Sequence, residues 1–187
     1  MNEKLADRAK QKMRLCDGQG NESGETAERW ECHKSPGKKH IAFIVFVINE
    51  KKEFALHKRS GKKIGDNVLD SPVSHVLADE TVEQALQRCL KHEYGILEQL
   101  PVTKYGGFSY EKDYGDGTCE NEYCLVLSVE HSGSITPNPE EMEGEITMMP
   151  ISQAISESKS SPKKFEIWFN LAIPIFEKHP EAKKFIE

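Results

Sequence analysis

Little in this chain marks a membrane, a disulfide scaffold or a nucleic-acid partner. No apolar run approaches the roughly twenty residues that a membrane-spanning helix needs. The opening residues, MNEKLADRAKQK, are charged rather than signal-like, so the expectation is a cytoplasmic protein. Basic residues are the minority: 25 Lys and Arg against 31 Asp and Glu leave a net charge of −6, which argues against nucleic acid as the main partner. That deficit also means that an anionic substrate needs a metal ion or a local basic cluster. The five cysteines, Cys16, Cys32, Cys89, Cys119 and Cys124, include no CxxC pair and are odd in number. They read as reduced thiols, two of them core, and not as a disulfide framework. No segment repeats, and 187 residues suffice for one domain with a sizeable core but not for two comfortable ones.

What is present alternates between strand and helix patterns. Leu5, Ala6, Ala9 and Met13 stand at helical spacing and predict a helical extension over residues 1–14, with a loop over 17–25. HIAFIVFVI (40–48) is apolar on both faces, as a central covered strand requires. NEKK then turns the chain into a half-buried strand, EFALHKR. In TVEQALQRCLKHEYG, Thr81 and Gln84 form a capping box and Val82, Ala85, Leu86, Cys89 and Leu90 an apolar stripe, with Gly95 as the stop. Glu93, eleven residues after Val82, lies almost directly along that inward stripe. Strands follow near 103–110, 121–130 and 143–150, with the Pro-rich connector SITPNPEE between the last two. At the end Phe165, Trp168, Phe169 and Ala172 share a helix face, which Pro174 is expected to kink or interrupt. The sum is a single mixed α/β domain over 1–187.

Several residues could carry chemistry. His33 and His40 bracket the loop HKSPGKKH, and His75 stands in LDSPVSHVLADET, a stretch punctuated like an active-site loop. Each could ligate a metal, although a lone histidine is more often a surface or satisfied core residue. Glu120 and Glu122, two apart at a strand start, point to one side and repel unless a cation lies between them. A solvated strand end is the plainer reading. Such carboxylates with imidazoles suit magnesium, manganese or zinc. Arg29, Lys58, Arg59, Lys62 and Lys63 could clamp phosphate oxygens, although HKRSGKK also reads as a solvated basic loop.

Taken together and in order, these residues resemble type 1 isopentenyl diphosphate isomerase, a branch of the Nudix superfamily, from about residue 15 to about 178. Gly24, Arg29 and His33, then His40, KRSGKK, Ser74-His75, Tyr110, the E-N-E of 120–122 and SPKKFEIW ending at Trp168 match its pattern. The Nudix box falls on Ser74, Glu80, Arg88, Cys89, Leu90, Lys91, His92, Glu93, Tyr94, Gly95 and Ile96. Cys89 and His92 replace two of the three carboxylates of its core.

The resemblance implies a Nudix fold, α+β, with a mixed sheet sandwiched between helices. It implies a metal site of His33, His40, His75, Glu120 and Glu122, for Mn2+, Mg2+ or Zn2+, beside which Tyr110 and Glu122 protonate a double bond. It further implies Mg2+ at Glu93 with the diphosphate, Arg29, Arg59, Lys62 and Lys63 as diphosphate clamps, and Trp168 facing the isoprenoid tail. The partner implied is a small isoprenyl diphosphate; monomer or dimer is the expected state. The chain departs from the family at Val73, where a cysteine serves as the second proton carrier. Three readings follow: isomerisation with a displaced base such as Cys119 or water; protonation of another prenyl diphosphate followed by rearrangement or cyclisation; or a diphosphate hydrolase or non-catalytic binder, which Cys89 and His92 disfavour.

Overall fold

The computed structural model describes residues 7–61, 63 and 67–186. In chain order the strands are β1 (Lys12–Cys16), β2 (Glu22–Glu28), β3 (His40–Ile48), β4 (Glu53–Arg59), β5 (Leu69–Asp70), β6 (Val73–His75), β7 (Val102–Asp113), β8 (Cys119–Glu130) and β9 (Met142–Pro150). The helices named below are α1 (Arg29–His33), α2 (Val82–Tyr94), α3 (Ile151–Ser160), α4 (Ile167–Lys178) and α5 (Lys183–Ile186). These residues divide into two compact units.

The first unit takes the chain up to Phe43, Ser74–Ala85 and Gly107–Leu125. It opens with an antiparallel hairpin in which Met13 faces Ala27 and Arg14 faces Thr26. Asp17 turns it, its carboxylate accepting from the amides of Gln19 and Asn21 at 2.8 and 2.9 Å. The helix expected over 1–14 therefore ends early: residues 7–9 are helical, but Lys12–Arg14 are strand. Met13 decides this, since pairing lets it pack fully buried against Ala27 and Cys32, and a short charged segment has no helical stability of its own. Leu5 and Ala6 lie outside the described residues. The expected loop over 17–25 is likewise shortened, because β2 begins at Glu22. Leu15 pairs with His40, and the Val76 amide donates to the Ile41 carbonyl at 3.0 Å, so β1 and the chain leaving β6 flank the start of β3.

The second unit takes Ile44–Val73, Leu86–Gly106 and Val126–Glu187. Residues 44–48 of β3 are all buried, as its double apolar face predicts. The hairpin to β4 places Ile48 opposite Phe54, and the Asn49 side chain caps the turn from Lys51 and Glu53 at 2.9 and 3.0 Å. β4 then pairs with β5 and β9. Phe46 stacks on Phe54 at 4.6 Å and meets Phe169 and Phe176 edge-on at 5.6 and 5.3 Å, the offset geometries aromatic quadrupoles favour. Pro174 lies inside α4 without ending it. Burial of Trp168, Phe169, Ala172, Ile173 and Phe176 along that helix offsets the lost backbone bond.

The α2 helix begins with the expected box, Thr81 N to Gln84 Oε1 at 2.7 Å and Gln84 N to Thr81 Oγ1 at 3.2 Å. It stops at Gly95, whose φ of +67° suits glycine. All five cysteines are buried thiols, not two. Among the described residues no helix is long and apolar enough to cross a membrane.

Candidate functional site

The histidines assemble within the first unit. The α1 helix, closed by reciprocal Glu28 and Glu31 bonds, ends on His33. Its Nδ1 meets the Arg29 carbonyl at 2.9 Å, and His40 Nδ1 meets the Lys38 carbonyl at 2.9 Å. Tying each Nδ1 to a carbonyl turns each Nε2 lone pair inward, as metal-binding imidazoles require. The loop between them needs Gly37: its φ is +70°, and a Cβ there would lie 2.5 Å from the Cys32 oxygen and 2.6 Å from Cys119 Sγ. His75 comes from β6, and the three ring centroids stand 4.9, 4.9 and 5.0 Å apart.

Glu120 and Glu122 enter from alternate positions of β8, both buried, with Asn121 less so. Glu122 Oε1 is 3.0 Å from His75 Nε2 and 3.5 Å from His40 Nε2, and Glu120 Oε2 is 3.3 Å from His33 Nε2. Tyr110, on β7, donates its hydroxyl to Glu122 Oε2 at 2.7 Å. One ligand atom from each of His33, His40, His75 and Glu122 falls within 4.8 Å of all the others.

Does this set fit a metal ion? The His40 Nε2 atom is fully buried and makes no hydrogen bond among the described residues, a costly state for a lone pair unless a cation takes it. The imidazoles with two carboxylates suit a divalent transition ion or magnesium. The residues fit.

Electrostatics agree. Burial would lift the Glu122 carboxyl, but the imidazoles of His40 and His75 outweigh it and hold it well below the usual range. Glu120 is raised, by burial and then by the Glu122 charge. Burial and the same charge push the Tyr110 phenol well above its ordinary value, so it keeps its proton. His75 is lowered by burial and the nearby Arg29.

The second unit holds another polar cluster. Lys63 Nζ bridges Glu93 Oε1 at 3.2 Å and Glu141 Oε2 at 2.6 Å, and His92 Nε2 reaches Glu141 Oε1 at 2.8 Å. Glu93 and Glu141 are 4% and 1% exposed, so the expected inward carboxylate on α2 is there. Beside them His57, pushed down to about 3 by burial and the charges of Lys63 and Arg59, stays neutral.

Arg59 and Trp168 lie against each other in the second unit. The Arg59 guanidinium lies 4.8 Å from the Trp168 ring centroid, its Nη1 3.1 Å from Asp70 Oδ2 and its Nε 4.0 Å from Glu166. Trp168 Nε1 donates to both Asp70 oxygens at 2.9 and 3.1 Å. Both residues are buried, so the arginine expected as a diphosphate clamp answers two internal carboxylates, and it covers one face of the indole expected to meet an isoprenoid tail. Arg29 belongs to the first unit, where its Nη1 lies 3.4 Å from Gln11 Oε1. Lys62 lies outside the described residues. Val73 is half-buried at the start of β6 and has no proton-accepting atom.

Sequence reasoning missed Asp70, Glu166 and Glu141. Each pairs across more than ten positions of chain, and Glu141 is the last residue of the Pro-rich connector. A buried acid next to a basic loop residue leaves no local pattern to find.

A family model for the NUDIX domain matches residues 38–169. The chain belongs to the Nudix family. Curated relatives carry an isomerase's name: isopentenyl-diphosphate Delta-isomerase of Aliivibrio fischeri is 33% identical across 83% of this chain and 88% of its own. The protein of that name from Haloarcula marismortui is 32% identical across 73% and 75%. Nudix architecture recurs in a crystal structure from Deinococcus radiodurans, TM-score 0.64 at 14% identity, covering 89% of this chain and 98% of that one. A MutT protein of Methanosarcina mazei gives 0.60 at 17%, covering 78% and 96%. The Nudix fold, α+β with a mixed sheet and helices, is thus as the resemblance implied.

Proposed function

We propose that the chain is a divalent-metal-dependent enzyme that adds a proton to the carbon–carbon double bond of an isoprenyl diphosphate. The observation that carries this reading is the 2.7 Å hydrogen bond from Tyr110 to Glu122, set beside three inward-facing imidazoles. Tyr110 keeps its proton through burial and lies on the oxygen of Glu122 that faces away from His75. The pair can therefore pass one proton between phenol, carboxylate and an alkene carbon. A cation held by His33, His40, His75, Glu120 and Glu122 supplies positive charge that orients Glu122 and keeps its proton affinity low. The diphosphate is assigned to Mg2+ at Glu93 and to Lys63, both in the second unit.

Protonation at a terminal alkene carbon leaves a tertiary carbocation, which must then lose a proton from a neighbouring carbon or be captured within its own chain. The family resemblance gives the loss step to a cysteine where this chain has Val73. Cys119 is a poor substitute, because burial and the Glu120 charge raise its thiol. The Val73 side chain offers no atom that could take up that proton, which favours rearrangement or cyclisation of a prenyl diphosphate over ordinary isomerisation.

The test is incubation with isopentenyl diphosphate, and separately with longer prenyl diphosphates, in deuterated water with Mn2+ and Mg2+. Products are followed by NMR and phosphate release by colorimetry. Deuterium is expected in the products of a longer chain. Deuterated dimethylallyl diphosphate would show ordinary isomerisation, and phosphate or monophosphate without label would make the chain a hydrolase. A Val73→Cys variant is expected to gain isomerisation of the short substrate.

A further inference from the structure

Within the second unit, one ammonium serves two buried carboxylates. Lys63 Nζ is 3.2 Å from Glu93 and 2.6 Å from Glu141, and the remaining Glu93 oxygen, Oε2, is buried with no hydrogen-bond partner among the described residues. A carboxylate oxygen sealed from water without a donor is costly, and Lys63 already serves the other one. The geometry is also built. Asn138 clamps the end of α2 twice, its amide donating to the Glu93 carbonyl and its side chain to the His92 carbonyl, both at 3.0 Å. The Glu141 and Met142 amides fold back onto the Asn138 carbonyl at 3.0 and 3.1 Å, and the Ser60 amide holds the Glu141 carbonyl at 3.1 Å. Three separate segments thus converge to hold Glu141 where it shares an ammonium with Glu93.

The helix motif gives this convergence its meaning. His92 stands where the Nudix box has a carboxylate, and its Nε2 is 2.8 Å from Glu141 Oε1. The side chain that replaced the missing acid orients an acid from another segment toward Glu93.

We propose that Glu141 is the second protein ligand of the divalent cation carried at Glu93, supplying the carboxylate that the helix motif lacks, and that Lys63 is the counter-charge holding both acids ready for it. Hard oxygen ligands of this kind suit Mg2+ or Mn2+, which keep some of their sites for phosphate oxygens. As the cation takes up the two carboxylates, Lys63 is released toward the diphosphate, so that substrate charge and lysine charge pair as the acids and the metal do. The inference rests on the reading of Glu93 as the diphosphate-side cation ligand.

The test follows Mn2+ by the electron-spin resonance of the unbound ion, with and without saturating methylenediphosphonate, for the wild type, Glu93→Gln and Glu141→Gln. Binding that depends on the diphosphonate is expected to weaken at least tenfold in both variants, with little further loss in the double variant; binding without diphosphonate, at the histidine centre, stays as in the wild type. Unchanged diphosphonate-linked binding in Glu141→Gln alongside a loss in Glu93→Gln overturns the proposal and leaves the reading of Glu93 standing. Loss in neither variant overturns both. Should Glu141→Gln not fold, Lys63→Met decides: removing the ammonium is expected to give a larger Mn2+-induced rise in melting temperature than the wild type shows, and an equal or smaller rise overturns the proposal.

Discussion

Asp70 offers a test of the electrostatics with a sign and a size. It is fully buried, bound by Trp168 Nε1 at 2.9 and 3.1 Å, by Arg59 Nη1 at 3.1 Å and by the Ser71 amide at 2.8 Å. Burial pushes its carboxyl up to about 7, against the pull of Arg59 and with the push of Glu166. In the unfolded chain an aspartate titrates near ~3.9. Between those values the folded protein holds a proton that the unfolded chain has released. Stability from this group is therefore complete below about pH 4, and it falls as pH rises to 7. The fall is ~1.4 kcal/mol per pH unit, or about 4 kcal/mol in all. Asp70→Asn removes the titration while keeping the size of the side chain. The assay is urea unfolding at pH values from 4 to 8 in a Trp30→Phe background, where Trp168 is the only tryptophan. The lost Arg59 pairing shifts the variant at every pH, so the signal is the trend: the difference between the two proteins is expected to change across this window and to level above it. Parallel curves would refute the reasoning.

Tyr110→Phe keeps the ring but removes the proton on Glu122; turnover, read as deuterium uptake into product, is expected to fall by ~10²–10⁴ with the melting temperature of the metal-loaded protein little changed. Chelation should lower that temperature: Mn2+ at about 100 times its dissociation constant adds ~2.7 kcal/mol, and His40→Gln is expected to make scanning calorimetry insensitive to chelator. Gly37→Ala forces a Cβ against Cys32 and Cys119 at a positive φ, costing about 1–3 kcal/mol in the same calorimetry and weakening Mn2+ binding, since His33 and His40 bracket that loop.

What the sequence revealed depended on how local the cause was. The eight apolar residues of β3 and the Thr81–Gln84 box each carry their explanation within one element, and both stand as read. The histidines and the E-N-E pair were individually ambiguous; only their order along the chain joined them, and the fold then brings His33, His40, His75 and Glu122 together. The failures are tertiary. Met13 follows its strand partner Ala27 instead of a weak helical spacing. Pro174 is carried through α4 by the burial of its neighbours. Arg59 and Trp168 were singled out by the family pattern, and Asp70 and Glu166, whose approach no periodicity announces, draw the guanidinium onto the indole.

The five buried thiols have a kinetic consequence. A folded protein with every cysteine covered is silent toward an alkylating reagent, and each label acquired records a local opening. Cys16, Cys32, Cys119 and Cys124 lie in the unit that carries the histidine centre and Cys89 in the other. Pulsed alkylation with peptide mass mapping would therefore time the two units separately, each by its own internal clock, with or without Mn2+ present.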